Sequence, residues 1–227
     1  MDKRQERVLI HVIEDYIHSA EPVSSQGLVK KHGLHVSSAT IRNWFSSLEQ
    51  EGYLEQPHTS AGRIPSVRAY EWYVQQLGQV SLPSTLQHKL EEILDGPSIT
   101  DERLKRIAKL TVDLTGTAVL LGTNRSDTYY TGLTALFSNP EFQDWSKVIS
   151  MSSVLDQLDR QLFKQRKERY RKPTMLIGDA CPFGAMCGSA FLTLERDALF
   201  IILGPVRMNY KRAIGVLNTI QTFNTTL

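Results

Sequence analysis

Arg42 and Asn43 are the side chains of this 227-residue chain whose types and spacing carry the most chemistry. A guanidinium can donate two hydrogen bonds to the major-groove edge of guanine, and a carboxamide can both donate to and accept from adenine. Both residues lie early in a segment that opens at Ser37, a natural helix N-cap. On a helical wheel Ile41, Trp44, Phe45 and Leu48 fall together within about 100°, while Ala39, Arg42, Asn43, Ser46 and Gln50 fall opposite. The outer face is small and polar at its start, as a helix requires if its N-terminal half is to enter a DNA major groove.

Other chemistries find less support. Cys181 and Cys187 share one Gly-rich stretch with no second ligand pair and no histidine after His88, so two buried thiols are expected rather than a zinc or redox site. The loop from Gly178 to Gly188 lacks the Lys-Ser/Thr ending of a phosphate-binding loop. HExxH and GxSxG are absent, so no enzyme and no cofactor is expected. The basic run Lys164, Arg166, Lys167, Arg169, Arg171 and Lys172 reads as a solvated helix end; contact with DNA phosphates or an acidic partner is the alternative. Apolar runs such as Ala198 to Leu203 are far shorter than the roughly 20 residues of a membrane span. The charged start Met1–Arg7 is unlike a signal peptide, so a cytoplasmic protein is expected.

The elements that must position Arg42 can be read next. Val8, Leu9, Val12, Ile13, Tyr16 and Ile17 form one stripe of a first helix that Glu21-Pro22 ends. Ser24 or Ser25 caps a short second helix, and Gly33 closes it. The helix from Ser37 is the third. Tyr53–Gln56 and Arg63–Pro65 flank a Pro-His-Thr-Ser-Ala-Gly turn, which predicts two short strands, and a further helix runs from Val67 to Leu77. Three short helices, a hairpin and a helix describe a winged helix-turn-helix. They also suit a protein-interaction module, which the charge favours: 26 Lys+Arg against 24 Asp+Glu overall, and 8 against 9 in residues 1–75. Placement argues the other way, because Arg42, Arg63, Lys30, Lys31 and Arg68 lie on the third helix, the hairpin and nearby element ends.

Ser37-Ser38-Ala39-Thr40-Ile41-Arg42-Asn43, then Leu48-Glu49, Gly52-Tyr53-Leu54 and the run from Gln56 to Pro65, closely resemble the N-terminal domain of the bacterial heat-inducible transcription repressor HrcA family. Weaker likenesses are Thr131-Gly132-Leu133 through Phe142, and Gly204-Pro205-Val206-Arg207-Met208-Asn209-Tyr210. The resemblance implies a homodimer that binds an inverted-repeat operator before chaperone operons, releases it on heat stress, and is assisted by the GroE-type chaperonin. Carried over by position, Ser38, Thr40, Arg42 and Asn43 with His58, Thr59, Ser60 and Arg63 are the DNA-contacting set; Ser37, Ala39 and Ser46 join it as their neighbours on the third helix. Three departures stand out. Trp44-Phe45 and Ala69 should only repack the core, whereas Glu71 removes a positive charge near the wing.

The resemblance also implies a GAF-like second domain, interrupted in most members by a dimerising insertion. Here Phe163–Lys172 leaves only a basic stub. The expected fold is therefore α+β: a winged helix-turn-helix over 1–78, a linker with a short helix (Leu86 to Leu94) over 79–100, and over 101–227 an antiparallel sheet with flanking helices. Its expected elements are helices Glu102–Leu114, Ser146–Arg169 and Asn209–Phe223, and strands Thr117–Leu121, Thr128–Leu136, Met175–Ile177, Gly188–Leu194 and Ala198–Leu203. A metabolite-sensing regulator gripping a ligand in the second domain is the alternative function.

Overall fold

The computed structural model describes residues 1–59, 61–96, 100–122, 128–194 and 197–224. It divides into two units, Met1–Leu77 and Gly78–Leu227. In the first, Asp2 caps α1 (Lys3–Ser19) by accepting from the Arg4 and Gln5 amides, and the Gln5 side chain returns a bond to the Asp2 amide. This reciprocal box satisfies donors that a helix start leaves open. Ser24 rather than Ser25 caps α2 (Ser25–His32), and Gly33 closes it in the left-handed region. Ser37 caps α3 (Ser38–Gln50) through the Thr40 amide.

The chain then forms β1 (Leu54–Glu55) and β2 (Ile64–Pro65), paired antiparallel, and α4 (Val67–Gln76). Both strands are shorter than expected, and Arg63, next to β2, bridges to Val23 ahead of α2. The four helices and the hairpin bury Leu9, Ile13, Leu28, Ile41, Leu48 and Tyr70 almost completely. Phe45 and Ala69 lie in this core, Trp44 is half-buried, and Glu71 is exposed.

The second unit is α+β, built on a five-stranded antiparallel sheet as expected of a GAF-like domain. Its elements are α5 (Ser84–Leu94), α6 (Asp101–Thr115), β3 (Ala118–Gly122), β4 (Thr128–Thr131), α7 (Leu133–Phe137), α8 (Trp145–Asp156), α9 (Leu158–Arg166), β5 (Thr174–Ile177), β6 (Cys187–Thr193), β7 (Leu199–Pro205) and α10 (Tyr210–Asn224). The strand order is β4-β3-β7-β6-β5. One face of the sheet, with Leu120, Phe191 and Ile201, packs on Leu136, Met151 and Leu162 from α7, α8 and α9. On the other face Gly188 meets the Tyr210 ring of α10, and α6 lies along β3. Because both faces are covered, the central strands are apolar throughout instead of alternating. Among the described residues no helix is long and apolar enough to cross a membrane.

Three expectations change. Residues 79–100 are not a free linker: α5 packs on α6 and α10, with Leu82, Leu90 and Leu94 buried, while Pro97 and Ser98 lie outside the described residues. The strand expected over Thr128–Leu136 stops at Thr131. Gly132, at φ 83, turns the chain into α7 where a Cβ would lie 2.5 Å from Val112 Cγ2; only glycine has that freedom. The long helix expected over Ser146–Arg169 breaks at Gln157, where φ −106 and ψ 13 leave the helical region, and this re-aims α9 so that Leu158 and Leu162 are buried. Beyond α9, the Tyr170 amide donates to the Thr193 hydroxyl, the Thr193 amide donates to the Tyr170 carbonyl, and the Tyr170 ring packs on Phe191 at 4.6 Å, so the basic stub returns directly to the sheet.

The stretches Asn139–Phe142 and Gly204–Tyr210, far apart in sequence, meet in space. Arg207 Nε donates to Glu141, and Arg207 Nη2 reaches Asn139 Oδ1 at 3.4 Å. Both members of the ion pair are largely buried. Substituting Arg207→Ala strands a carboxylate and is expected to cost about 1.5–3 kcal/mol, seen as a lower urea midpoint; an unchanged midpoint would show that the pair is idle.

Candidate nucleic-acid interface

The third helix presents its outer face to solvent. Ala39, Arg42, Asn43 and Ser46 are exposed, Ser37 is exposed at the cap, and Ser38 and Thr40 are half-buried. The cap itself engages two of these groups: Ser37 Oγ accepts from the Thr40 amide at 3.1 Å and lies 2.9 Å from Thr40 Oγ1. The Ser46 hydroxyl donates back to the Arg42 carbonyl at 3.1 Å. Arg42 makes no ion pair among the described residues; its Nε reaches only the Ser38 carbonyl, at 3.5 Å. Apart from that contact its guanidinium lies on the exposed face of the helix.

Across from α3 stands the hairpin turn. The Ala61 amide donates to the His58 carbonyl at 2.8 Å, and Gln56 Nε2 donates to the Thr59 and Ala61 carbonyls at 2.9 and 3.2 Å. His58 and Thr59 are exposed at this tip; Ser60 lies outside the described residues. Arg42, Ser46, Thr59 and Arg63 line one cleft of about 450 Å³, together with Ser24, Ser25 and Gln26 at the start of α2 and with Gln56. Asn43, Ala39 and His58 are not among the residues that line it. Gln26 and Gln56 were missed as lining residues, since a neutral amide carries no periodicity or charge that singles it out.

Arg63 is held differently from Arg42. Its Nη2 pairs with Glu49 Oε2 of α3 at 2.9 Å, its side chain is only 14% exposed, and its amide and carbonyl both bond Val23 at 2.9 Å. Beside it, a Cβ on Gly62 would lie 2.4 Å from the Val23 carbonyl oxygen. Two more of the cations that placement pointed to are also engaged. Arg68 lies 4.7 Å over the Tyr53 ring and donates to the Glu51 carbonyl at 2.7 Å, and Lys31 pairs with Asp15 at 2.6 Å.

Asp15 joins α1 to α2, accepting from Lys31 and lying 3.0 Å from His32 Nε2, while the His32 ring stacks on His11 at 3.9 Å. Burial alone would raise the Asp15 carboxyl, but the Lys31 and His32 hydrogen bonds outweigh it and hold it below the ordinary range. Burial, reinforced by His32, pushes the His11 imidazole below its usual 6.5. The Cys181 and Cys187 thiols in the second unit are buried and raised by that burial, and no group of three metal-ligating side chains occurs among the described residues.

A protein-family model described as "HrcA protein C terminal domain" matches residues 74–214. Proteins named "Heat-inducible transcription repressor HrcA" are similar over about half of the chain. That of Acetivibrio thermocellus is 46% identical over 110 residues, 48% of this chain and 30% of that protein. That of Caldanaerobacter subterraneus subsp. tengcongensis is 43% identical over 123 residues, 51% of this chain and 34% of that protein. The match thus spans about a third of the length of these relatives. A crystal structure of a hypothetical protein, 17% identical, superposes with a TM-score of 0.79 over 100% of this chain and 99% of that one, which shows a shared fold.

Gly62→Ala is expected to destabilise the first unit by about 1–3 kcal/mol, since backbone rather than a flexible side chain must give way; equal melting temperatures would contradict the close approach. Both perturbed groups of the α1–α2 junction act in one direction with pH. A folded pKa below the unfolded value gives stability that is complete above the unfolded value and lost as pH falls. The first unit should therefore lose stability below about pH 6.5 from His11, and again below about 3.8 from Asp15. In His11→Gln the upper part of the loss should vanish in thermal melts across pH; its persistence would assign it elsewhere.

Proposed function

The chain belongs to the HrcA family, and from that premise we propose that its first unit is a winged helix-turn-helix and that the protein is a heat-inducible transcriptional repressor rather than an enzyme. The observation that carries this is the exposed face of α3, with Arg42 unpaired among the described residues, set against the hairpin tip around one cleft. α3 enters the major groove, where Arg42 and Asn43 reach base edges and the small Ala39 permits close approach. Ser37, Ser38, Thr40 and Ser46 flank that contact. His58 and Thr59 at the wing tip lie along the neighbouring backbone.

Arg63 takes a different part from the one its charge suggests. Held by Glu49 and bridged to Val23, it fixes the wing against α3, so it positions the contact more than it makes it. Glu71, exposed on α4, adds no attraction. The unit thus binds through a few placed groups, and affinity should depend on salt only modestly, because each phosphate neutralised by Lys or Arg adds to the salt slope.

A dimer would set two α3 helices about 34–36 Å apart, one turn of DNA, which calls for an inverted-repeat operator. Such operators would control chaperone genes in the cytoplasm, with a GroE-type chaperonin assisting the repressor. Heat would release the DNA by costing the second unit or the dimer a kcal/mol or two, a large share of a typical folding stability. The names of the relatives favour this reading over metabolite sensing.

Titrating the chain into a labelled inverted repeat and a scrambled duplex tests it. Arg42→Ala should lose about 1–3 kcal/mol on the repeat and relax discrimination at one base pair. No preference for the repeat by the unaltered chain, or an unaltered affinity in Arg42→Ala, would overturn the proposal.

A further inference from the structure

Residues 160–172 hold seven of the chain's 26 Lys and Arg against one acid, Glu168, so 19 basic and 23 acidic residues leave the rest of the chain at −4. Arg166 is half-buried, and a Cβ on Gly122 would lie 2.9 Å from its Nε. The other six, Arg160, Lys164, Lys167, Arg169, Arg171 and Lys172, are exposed. The one ion pair they make among the described residues joins Arg169 to Asp197 at 3.5 Å, with both side chains more than half exposed. On α9 the buried Leu158 and Leu162 mark the inner side. Arg160, Phe163, Lys164 and Lys167 fall within about 100° of one another on the outer side. Asp159, one turn before Phe163, stands at the rim of that face.

Helix energetics explain part of this charge. Cations at the last turn meet the negative end of the helix dipole, which accounts for Lys164 and for Lys167 at the C-cap. Arg160 lies in the first turn, at the positive end, and Arg169, Arg171 and Lys172 lie beyond the helix, so the dipole stabilises none of them. The backbone that carries them is held in place. The Tyr170 hydroxyl donates to Gln165 Oε1 at 2.5 Å, the Tyr170 amide to the Thr193 hydroxyl at 2.8 Å, and Gln221 Nε2 of α10 to the Arg171 carbonyl at 2.7 Å. Arg169 sits in the left-handed region, at φ 48, which a residue with a Cβ keeps only where its surroundings hold it. Charges displayed from a fixed backbone lose less freedom on meeting a partner than those of a loose tail.

We infer that this surface binds single-stranded nucleic acid along its sugar-phosphate backbone, without regard to sequence, with Phe163 as the platform for a base. Side chains three and four apart on a helix stand about 5–6 Å from one another at Cβ, so Arg160, Lys164 and Lys167 offer cations at short, regular intervals. A nucleic acid carries an anion on every nucleotide, whereas a peptide matches such a row only where it is acidic throughout. Phe163 decides between one strand and two. It is 58% exposed, with Lys167 Nζ 5.1 Å from its ring centroid. A lone exposed ring is ordinary, but a ring set among cations that track a backbone is the arrangement on which unpaired bases stack. The bases of a duplex are already stacked on one another and offer no free face.

The inference draws on α9 and the segment after it, not on α3, and so stands apart from the repressor reading. Fluorescence anisotropy of the full chain tests it, with a labelled oligothymidine of about 20 nucleotides, longer than a typical single-strand site. Binding should weaken as salt rises, since each phosphate contact on a single strand adds about 0.7 to the logarithmic salt slope. Arg160→Gln, Lys164→Gln and Lys167→Gln combined should flatten that slope by about two and weaken binding at least tenfold, without lowering the melting temperature. Phe163→Ala should weaken binding to oligothymidine at least fivefold and leave a scrambled duplex bound as before. No binding to oligothymidine, an unchanged slope in the triple variant, or a Phe163→Ala loss that is absent or falls equally on the duplex would overturn the assignment. Labelled polyglutamate bound as tightly as oligothymidine would overturn it too, in favour of an acidic protein partner.

Discussion

The pairing of Arg63 with Val23 is the contact on which the geometry of the first unit depends. Two backbone hydrogen bonds of 2.9 Å join the returning side of the hairpin to Val23, ahead of the α2 cap, so the outer edge of the hairpin is fixed to the start of α2. Gly62 allows the approach, because any Cβ there would collide with the Val23 carbonyl. From the same residue the Arg63 side chain reaches Glu49 on α3. One position thus ties together the start of α2, the hairpin and α3, the three walls of the cleft that Arg42 faces. Remove it and the tip with Thr59 keeps only the short β1–β2 pairing and the Gln56 bonds to hold it.

On the proposed function, this bracing lets the unit carry no excess positive charge and still engage DNA. Arg63, Arg68 and Lys31 are committed to internal partners, and they supply order rather than attraction. Arg42 is left with its donors turned outward. Such a surface would discriminate by fit, since one well-oriented bidentate contact separates bases that bulk charge cannot tell apart. The junction of α1 and α2 follows the same economy: Asp15 and Lys31 neutralise each other in place, and His32 lies within hydrogen-bond distance of the same carboxylate.

Much of this was legible in the residues because it is written locally. The caps Ser37 and Gly33, and the stripe of Ile41, Phe45 and Leu48, follow from propensity and period, and the structure places them so. What could not be read depends on partners distant in sequence. A one-residue bridge at Val23 leaves no alternation to detect, and the type of Arg63 declares its charge but not that Glu49 holds it. Apolar residues from Thr128 onward gave no warning that Gly132 turns the chain into α7. Pro83 and Pro97 read as breaks around 79–100, yet Leu82, Leu90 and Leu94 bury the intervening helix. The family likeness supplied the functional frame, and it left open which of its basic residues touch DNA and which hold the fold.

The central claim is that a few placed residues on a braced, nearly neutral unit select a two-fold DNA site, and that heat withdraws them. Sequencing the DNA that the purified full chain selects from a random pool, at a permissive and at a heat-stress temperature, tests it most directly. The account predicts one inverted repeat, its half-sites about one helical turn apart, enriched at the lower temperature and lost at the higher. A pool with no enriched motif at either temperature, or the same motif retained in full at both, would contradict it.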